Sequence, residues 1–198
     1  MDIVNLTEKI RRYALTAVSK ERYEHSLRFA ETASRICRLT GQDYGLGYMA
    51  GVAHDMCKGM SPELLLSFAS RDGREITGIE RDNPVLLHGR AAAVKLQEDF
   101  GVLQPEVLQA VGNHVFGSPF LCPLAKIVFV ADKVEPGRSY VTDEYLGRLF
   151  ALTLNQMARQ VVSENKSFLE QKGKVPHPLT LQFLAELEAD IAAGRSGQ

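Results

Sequence analysis

Apolar residues recur with a helical period along almost the whole chain, and no run with the alternating period of a strand stands out. The segment from Glu21 to Leu39 contains no Gly or Pro and stops at Thr40-Gly41, where glycine can take the left-handed backbone that closes a helix. Leu46, Met49, Ala50, Ala53 and Cys57 fall at i, i+3, i+4, i+7 and i+11, one face of a second helix. Ser61-Pro62-Glu63 reads as an N-cap, a first-turn proline and an acid on the helix dipole. Asn83-Pro84 repeats that device and predicts a helix from Val85 to about Phe100, ended by Gly101. Pro105 opens a helix with His114 near its end. Pro123 opens another that carries Asp132 and is closed by Glu135-Pro136-Gly137. Thr142 predicts the cap of one long helix reaching toward Gly173, and Thr180 to Ala193 reads as a final amphipathic helix before a Gly/Ser tail. Residues 71–83 are the one long irregular stretch, and Ile127 to Ala131 fits a buried helix better than a strand.

These elements predict an all-α, single-domain bundle over residues 1–198, with a core at 20–140 and C-terminal helices at 142–193 packed on it. A chain of 198 residues can bury a sizeable core. Its 45% hydrophobic and 24% charged content is that of an ordinary globular protein. A formal net charge of -1 offers no global basic field for nucleic acid or an anionic membrane. No segment approaches the ~20 apolar residues of a membrane span, so a cytoplasmic location is expected. Cys37, Cys57 and Cys122 are odd in number and lack metal-type spacing, which reads as free, mostly buried thiols.

The chemistry lies in an ordered series: His25, His54-Asp55, His88, His114 and Asp132 take four of the chain's five histidines. His54 continues an apolar helical stripe eight residues after Leu46. A lone histidine there reads as a hydrogen-bonded core residue. Asp55 beside it, and Asp132 within Ile127-Val128-Phe129-Val130-Ala131, change that reading, since buried carboxylates need a cationic partner or a metal. A salt bridge could satisfy one of them without explaining histidines on helix after helix. Imidazoles and carboxylates together suit a borderline divalent metal. There is no HExxH, so such ligands would have to converge from separate helices of a preformed bundle.

His25, then His54-Asp55, then Asp132 resembles the signature of the HD superfamily of metal-dependent phosphohydrolases. The strings Arg22-Tyr23-Glu24-His25-Ser26-Leu27-Arg28, Ala50-Gly51-Val52-Ala53-His54-Asp55-Met56-Cys57-Lys58, Leu86-Leu87-His88-Gly89 and Ala131 through Arg138 resemble one branch, the YqeK-type symmetrical diadenosine tetraphosphate hydrolases. The similarity runs from about Arg22 to Tyr140 and extends to His177-Pro178-Leu179-Thr180. One departure is that His114 is followed by Val115-Phe116-Gly117, where the branch usually has Thr-Thr-Gly; two hydroxyls near a phosphate are lost.

The resemblance implies His25, His54, Asp55 and Asp132 as metal ligands, with iron as the metal and manganese or cobalt as alternatives. His88 and His114 would either complete a second metal site with Asp55 or contact phosphate and donate protons. Arg28, three residues after His25, shares its helix face and could fork onto a phosphate; Lys58, four after His54, could do so as a point charge. Arg138 is a third cation near Asp132. A solvated surface charge is the competing reading for each. Phe116, Phe120 and Tyr140 are candidates for stacking on a nucleoside. His177, held between two prolines, is left out of the metal site. The expected reaction is symmetrical cleavage of diadenosine tetraphosphate or a related dinucleoside polyphosphate to ADP, by a protein with no nucleic-acid or membrane partner; a homodimer is left open. Competing readings are another nucleotide substrate (a monophosphate, a cyclic dinucleotide or an alarmone), a nucleotide sensor with little turnover, and a helical protein with a structural metal.

Overall fold

The computed structural model describes residues 2–197. Eleven α-helices are present among the described residues, and no strand. In chain order they are α1 (Ile3–Ala17), α2 (Lys20–Thr40), α3 (Tyr44–Ala53), α4 (Pro62–Ala69), α5 (Gly78–Asp82), α6 (His88–Phe100), α7 (Pro105–Asn113), α8 (Pro123–Val134), α9 (Asp143–Phe150), α10 (Leu154–Gln171) and α11 (Pro178–Ala192).

Local chemistry sets most boundaries. Ser19 accepts from the Arg22 amide at the start of α2, and Gly41, at φ 72°, closes it by donating to the Cys37 carbonyl. Asp43 caps α3 through the amides of Gly45 and Leu46. Ser61 caps α4, whose first residue is Pro62. Prolines also open α7, α8 and α11.

Four predicted boundaries are corrected. The Asn83-Pro84 device does not cap a helix: the Asn83 side chain donates back to the Ile79 carbonyl, and Pro84–Leu87 forms a 3-10 turn before α6 begins at His88. The irregular stretch at 71–83 contains α5, held by a reciprocal capping box between Thr77 and Glu80. The long helix after Thr142 is two helices, because Thr153 and Gln156 form a second capping box that restarts the chain as α10. The final helix starts two residues before Thr180, at Pro178, with His177 as its N-cap. Helix α1 had not been singled out; it buries Leu6, Ile10 and Ala14 along one stripe.

The core is built where α2, α3, α7 and α8 meet, with α1, α4 and α6 around them and α10 laid on α8, α11 on α10. Phe29, Ile36, Met49, Val52, Ile127, Val128 and Phe129 are among its fully buried members. Helices α2 and α3 cross so closely that a Cβ on Gly51 would run into the backbone of Ala30. That crossing brings the C-terminal end of α3, and with it His54 and Asp55, against α2 and α8.

Candidate metal centre

His25 lies on α2, His54 and Asp55 in the turn that ends α3, His88 at the first residue of α6, His114 at the C-cap of α7, and Asp132 in the last turn of α8. The potential ligand atoms of His25, His54 and Asp55 lie within 4.8 Å of one another, and so do those of Asp55, His88 and His114. Asp55 belongs to both groups. Asp132 approaches through Oδ1, 3.4 Å from His25 Nε2.

The ring nitrogens show what this arrangement is set up to hold. His54 Nδ1 is 2.7 Å from the Gly51 carbonyl, His88 Nδ1 2.6 Å from Val85 O, and His114 Nδ1 2.8 Å from Val111 O. Carbonyl oxygens only accept, so each Nδ1 carries the proton and each neutral ring presents a bare Nε2 lone pair. His25 Nδ1 likewise faces Glu135 Oε1 at 3.2 Å. His54 Nε2 is buried with no partner. His88 Nε2 lies 3.0 Å from both His114 Nε2 and Asp55 Oδ1, so three potential ligand atoms converge as they would on a shared cation. Four imidazoles oriented through Nδ1–H, with two carboxylates, are the donor chemistry of a metal site whose ligands have been turned into place by their outer partners.

Burial drives His54 down to about 4 and His114 well below the usual imidazole range, so both are neutral donors at physiological pH. Burial acts to raise Asp55, but His54, His88 and Lys58 outweigh it and hold the carboxyl well below its ordinary range. Asp132 is also held low, with burial opposed by Lys133 and His25. Both are therefore ionised.

Sequence reasoning missed three residues here. Glu135 is 2% exposed and accepts from His25 Nδ1, from Arg28 Nε at 2.8 Å and from the Gly137 amide at 2.7 Å. Arg22 Nη1 binds Asp55 Oδ2 at 2.8 Å. Lys133 bridges Asp132 Oδ2 at 3.0 Å and the His114 carbonyl at 2.8 Å. Glu135 sits in the Glu-Pro-Gly-Arg string that ends α8, the one sequence signal that could have pointed to it.

The structure places the predicted cations around the same mouth. Lys58 Nζ is 3.1 Å from both Asp55 oxygens, and Arg138 Nη2 is 3.0 Å from Asp132 Oδ1. Arg22, Arg28, Lys58 and Arg138 line a polar cleft of about 280 Å³ that also includes His25. A second cavity, about 470 Å³, opens from Asp132 and Lys133 and is walled by Tyr140, Tyr145 and Phe168. Phe120 is 84% exposed at a positive φ. Phe116 stacks on His177, with ring centroids 4.0 Å apart. Gly89 matters to the centre, since a Cβ there would come within 2.9 Å of the His114 ring.

A helical bundle that turns four imidazoles and two carboxylates onto one buried spot defines a metal-binding scaffold. The chain belongs to the HD domain family, whose pattern matches residues 22–137, and proteins of this family depend on a metal. A Staphylococcus aureus protein named symmetrical bis(5'-nucleosyl)-tetraphosphatase is 32% identical over 67% of this chain and 68% of its own. A Bacillus subtilis protein of the same name is 28% identical over 82% of this chain and 87% of its own. The fold also matches the crystal structure of a Clostridium acetobutylicum protein described as a predicted HD superfamily hydrolase involved in NAD metabolism: TM-score 0.84, 28% identity, 92% of this chain and 96% of that one. No helix among the described residues is long and apolar enough to cross a membrane.

Proposed function

We propose that the protein hydrolyses diadenosine tetraphosphate, and related dinucleoside polyphosphates, symmetrically to ADP. The observation that carries the reading is the convergence of His25, His54, Asp55, His88 and His114 beside a cleft lined by Arg22, Arg28, Lys58 and Arg138. The names of the Staphylococcus and Bacillus relatives supply the substrate.

In this reading His25, His54, Asp55 and Asp132 hold the primary metal, with a second site at Asp55, His88 and His114. When bound, the metal, iron in our reading with manganese or cobalt as substitutes, polarises phosphoryl oxygens and makes bound water a nucleophile near neutral pH. The chain's own groups do the rest. Arg28 and Arg138 present guanidinium forks to the nonbridging oxygens. Lys58, whose ammonium already contacts both Asp55 oxygens, adds a point charge where negative charge builds up. Glu135 fixes the His25 ring, and Arg22 fixes Asp55. His88 and His114, whose Nδ1 protons are held by backbone carbonyls, present Nε2 to the second site, and the departing phosphate takes its proton from solvent. The water oxygen bonds to one inner phosphorus, the central P–O–P bridge breaks, and each half leaves as ADP.

The test is incubation of the metal-loaded protein with diadenosine tetraphosphate, separation of products by chromatography, and Asp55→Ala alongside. ADP alone from the wild type is expected. The variant is expected to lose both metal and turnover while keeping its helical content. ATP plus AMP would overturn the symmetrical reading, and full metal and activity in Asp55→Ala would overturn the site.

A further inference from the structure

Two spaces of different chemistry meet at the metal centre. One is the cavity of about 470 Å³ with Asp132 in its wall. Tyr140 and Phe168 line it with side chains that are 62% and 57% exposed, so a flat base can reach both rings. The Asn165 amide in the same wall offers a donor and an acceptor side by side, which is what the edge of adenine pairs with. The other space is the cleft of about 280 Å³ with His25 in its wall. Arg22, Arg28 and Lys58 line it, and no Phe or Tyr does. Arg138 lines both spaces, and His25 Nε2 stands 3.4 Å from Asp132 Oδ1, so they join at the proposed primary ligands.

The two spaces suit different parts of a nucleotide. The aromatic cavity has the size and lining of a site for one nucleoside. The charged cleft, at about 280 Å³, falls below the roughly 300–1,000 Å³ of pockets that enclose a drug-sized ligand. Its guanidinium and ammonium groups are phosphate-binding chemistry and give a base nothing to stack on. The cavity between residues 74–80 and the start of α11 has Phe116 in its wall but none of the six proposed ligand residues, so it provides no second base site at the centre.

We infer that the centre recognises one nucleoside only and reads the departing half as phosphate alone, so that nucleoside 5'-tetraphosphates with no second nucleoside are also substrates. The inference rests on the hydrolase reading above. The base stacks in the cavity of Tyr140 and Phe168, and the two outer phosphates lie in the cleft of Arg22, Arg28 and Lys58. The water oxygen bonds to the second phosphorus from the nucleoside, and the bond from that phosphorus to the next bridging oxygen breaks. The bridging oxygen leaves with the two outer phosphates as pyrophosphate and takes its proton from solvent. Adenosine 5'-tetraphosphate and water thus give ADP and pyrophosphate.

The test gives the metal-loaded protein adenosine 5'-tetraphosphate and diadenosine tetraphosphate in parallel, with products separated by chromatography. The mononucleoside substrate is expected to yield ADP and pyrophosphate, with kcat/KM within about tenfold of the dinucleoside value. Phe168→Ala should raise KM for both substrates by the same factor, about fivefold or more, the scale of one lost base–aromatic stack. Tyr140→Ala, also at an exposed ring, is the second variant and should do the same. Equilibrium dialysis, which needs no turnover, should find one tight ADP per metal-loaded chain, weakened in Phe168→Ala. Cleavage of the dinucleoside substrate alone, two ADP bound with equal affinity, or unchanged KM in both variants would overturn the inference. Failure to cleave either substrate would instead sink the proposed reaction.

Discussion

At the scale of single residues, the centre is organised by the atoms that hold the histidines as much as by the histidines. Three of the four rings are oriented by backbone carbonyls three residues upstream, a local device of the helix ends. His25 is the exception: it sits mid-helix and is oriented by the Glu135 carboxylate, 110 residues away. Burial acts to raise Glu135, but Arg28, the Gly137 amide and His25 hold it below its ordinary value, so it is an anion at neutral pH. Glu135→Gln keeps the shape and an accepting oxygen but removes the charge that makes His25 Nε2 a stronger donor. Outer partners of this kind typically change metal affinity by about 10–100-fold. Competition with a chelator should show weakened metal binding of that order, with the fold unchanged by circular dichroism; unchanged affinity would make Glu135 only a partner of Arg28. The histidines and aspartates were legible in the sequence because a buried acid demands a partner. Glu135 and Arg22 were not, because nothing along the chain says which distant carboxylate or guanidinium will meet a given ring.

At the scale of elements, prolines and capping side chains made most helix starts readable, and the errors have specific causes. Asn83 looks like a cap before proline, but its amide turned toward α5, a helix too short to show a period. The break between α9 and α10 was hidden because its signal, Thr153 with Gln156, lies inside a continuous apolar periodicity. Register between helices is less legible still. Gly51 reads as a weak point in a helix, yet it is where α3 lies against Ala30 of α2 and brings the His54-Asp55 turn to the centre. A methyl group at this crossing must push the helices apart. Gly51→Ala should therefore destabilise the protein by roughly 1–3 kcal/mol despite the better helix propensity of alanine, seen as a lowered urea midpoint. It should also weaken metal binding, since His54 and His25 lie on the two helices being separated. A stabilised variant would show that the crossing has slack.

At the scale of the whole molecule, the all-α bundle and the clustering of the histidines followed from the sequence, whereas the cavities flanking the centre did not, because they are shaped by segments distant in sequence. The segment at 70–83 forms part of the wall of another cavity, about 370 Å³, beside the end of α7, and is anchored by Arg90, 6% exposed, which binds Asp72 at 2.7 and 2.8 Å and Glu80 at 3.1 Å. Burial acts to raise both carboxyls, but Arg90 with Arg74 at Asp72, and Thr77 with Arg90 at Glu80, hold them below 3.8 and 4.5. A carboxyl depressed in the folded state binds its proton more readily when unfolded. Its contribution is thus complete above the unfolded value and is lost as pH falls through the folded one. Glu80→Gln keeps an oxygen for the Thr77 capping box but removes the charge facing Arg90. At pH 7 it should lower unfolding stability by about 1.5–3 kcal/mol, the scale of a hydrogen bond to a charged group. As pH falls below the ordinary carboxyl range the gap to wild type should close, because wild-type Glu80 then loses its own charge. The carboxylates of the metal centre titrate in both proteins and cancel in the difference. Urea unfolding across that pH range measures it, and a gap that stays constant would mean that Glu80 stabilises the wall by shape and not by charge.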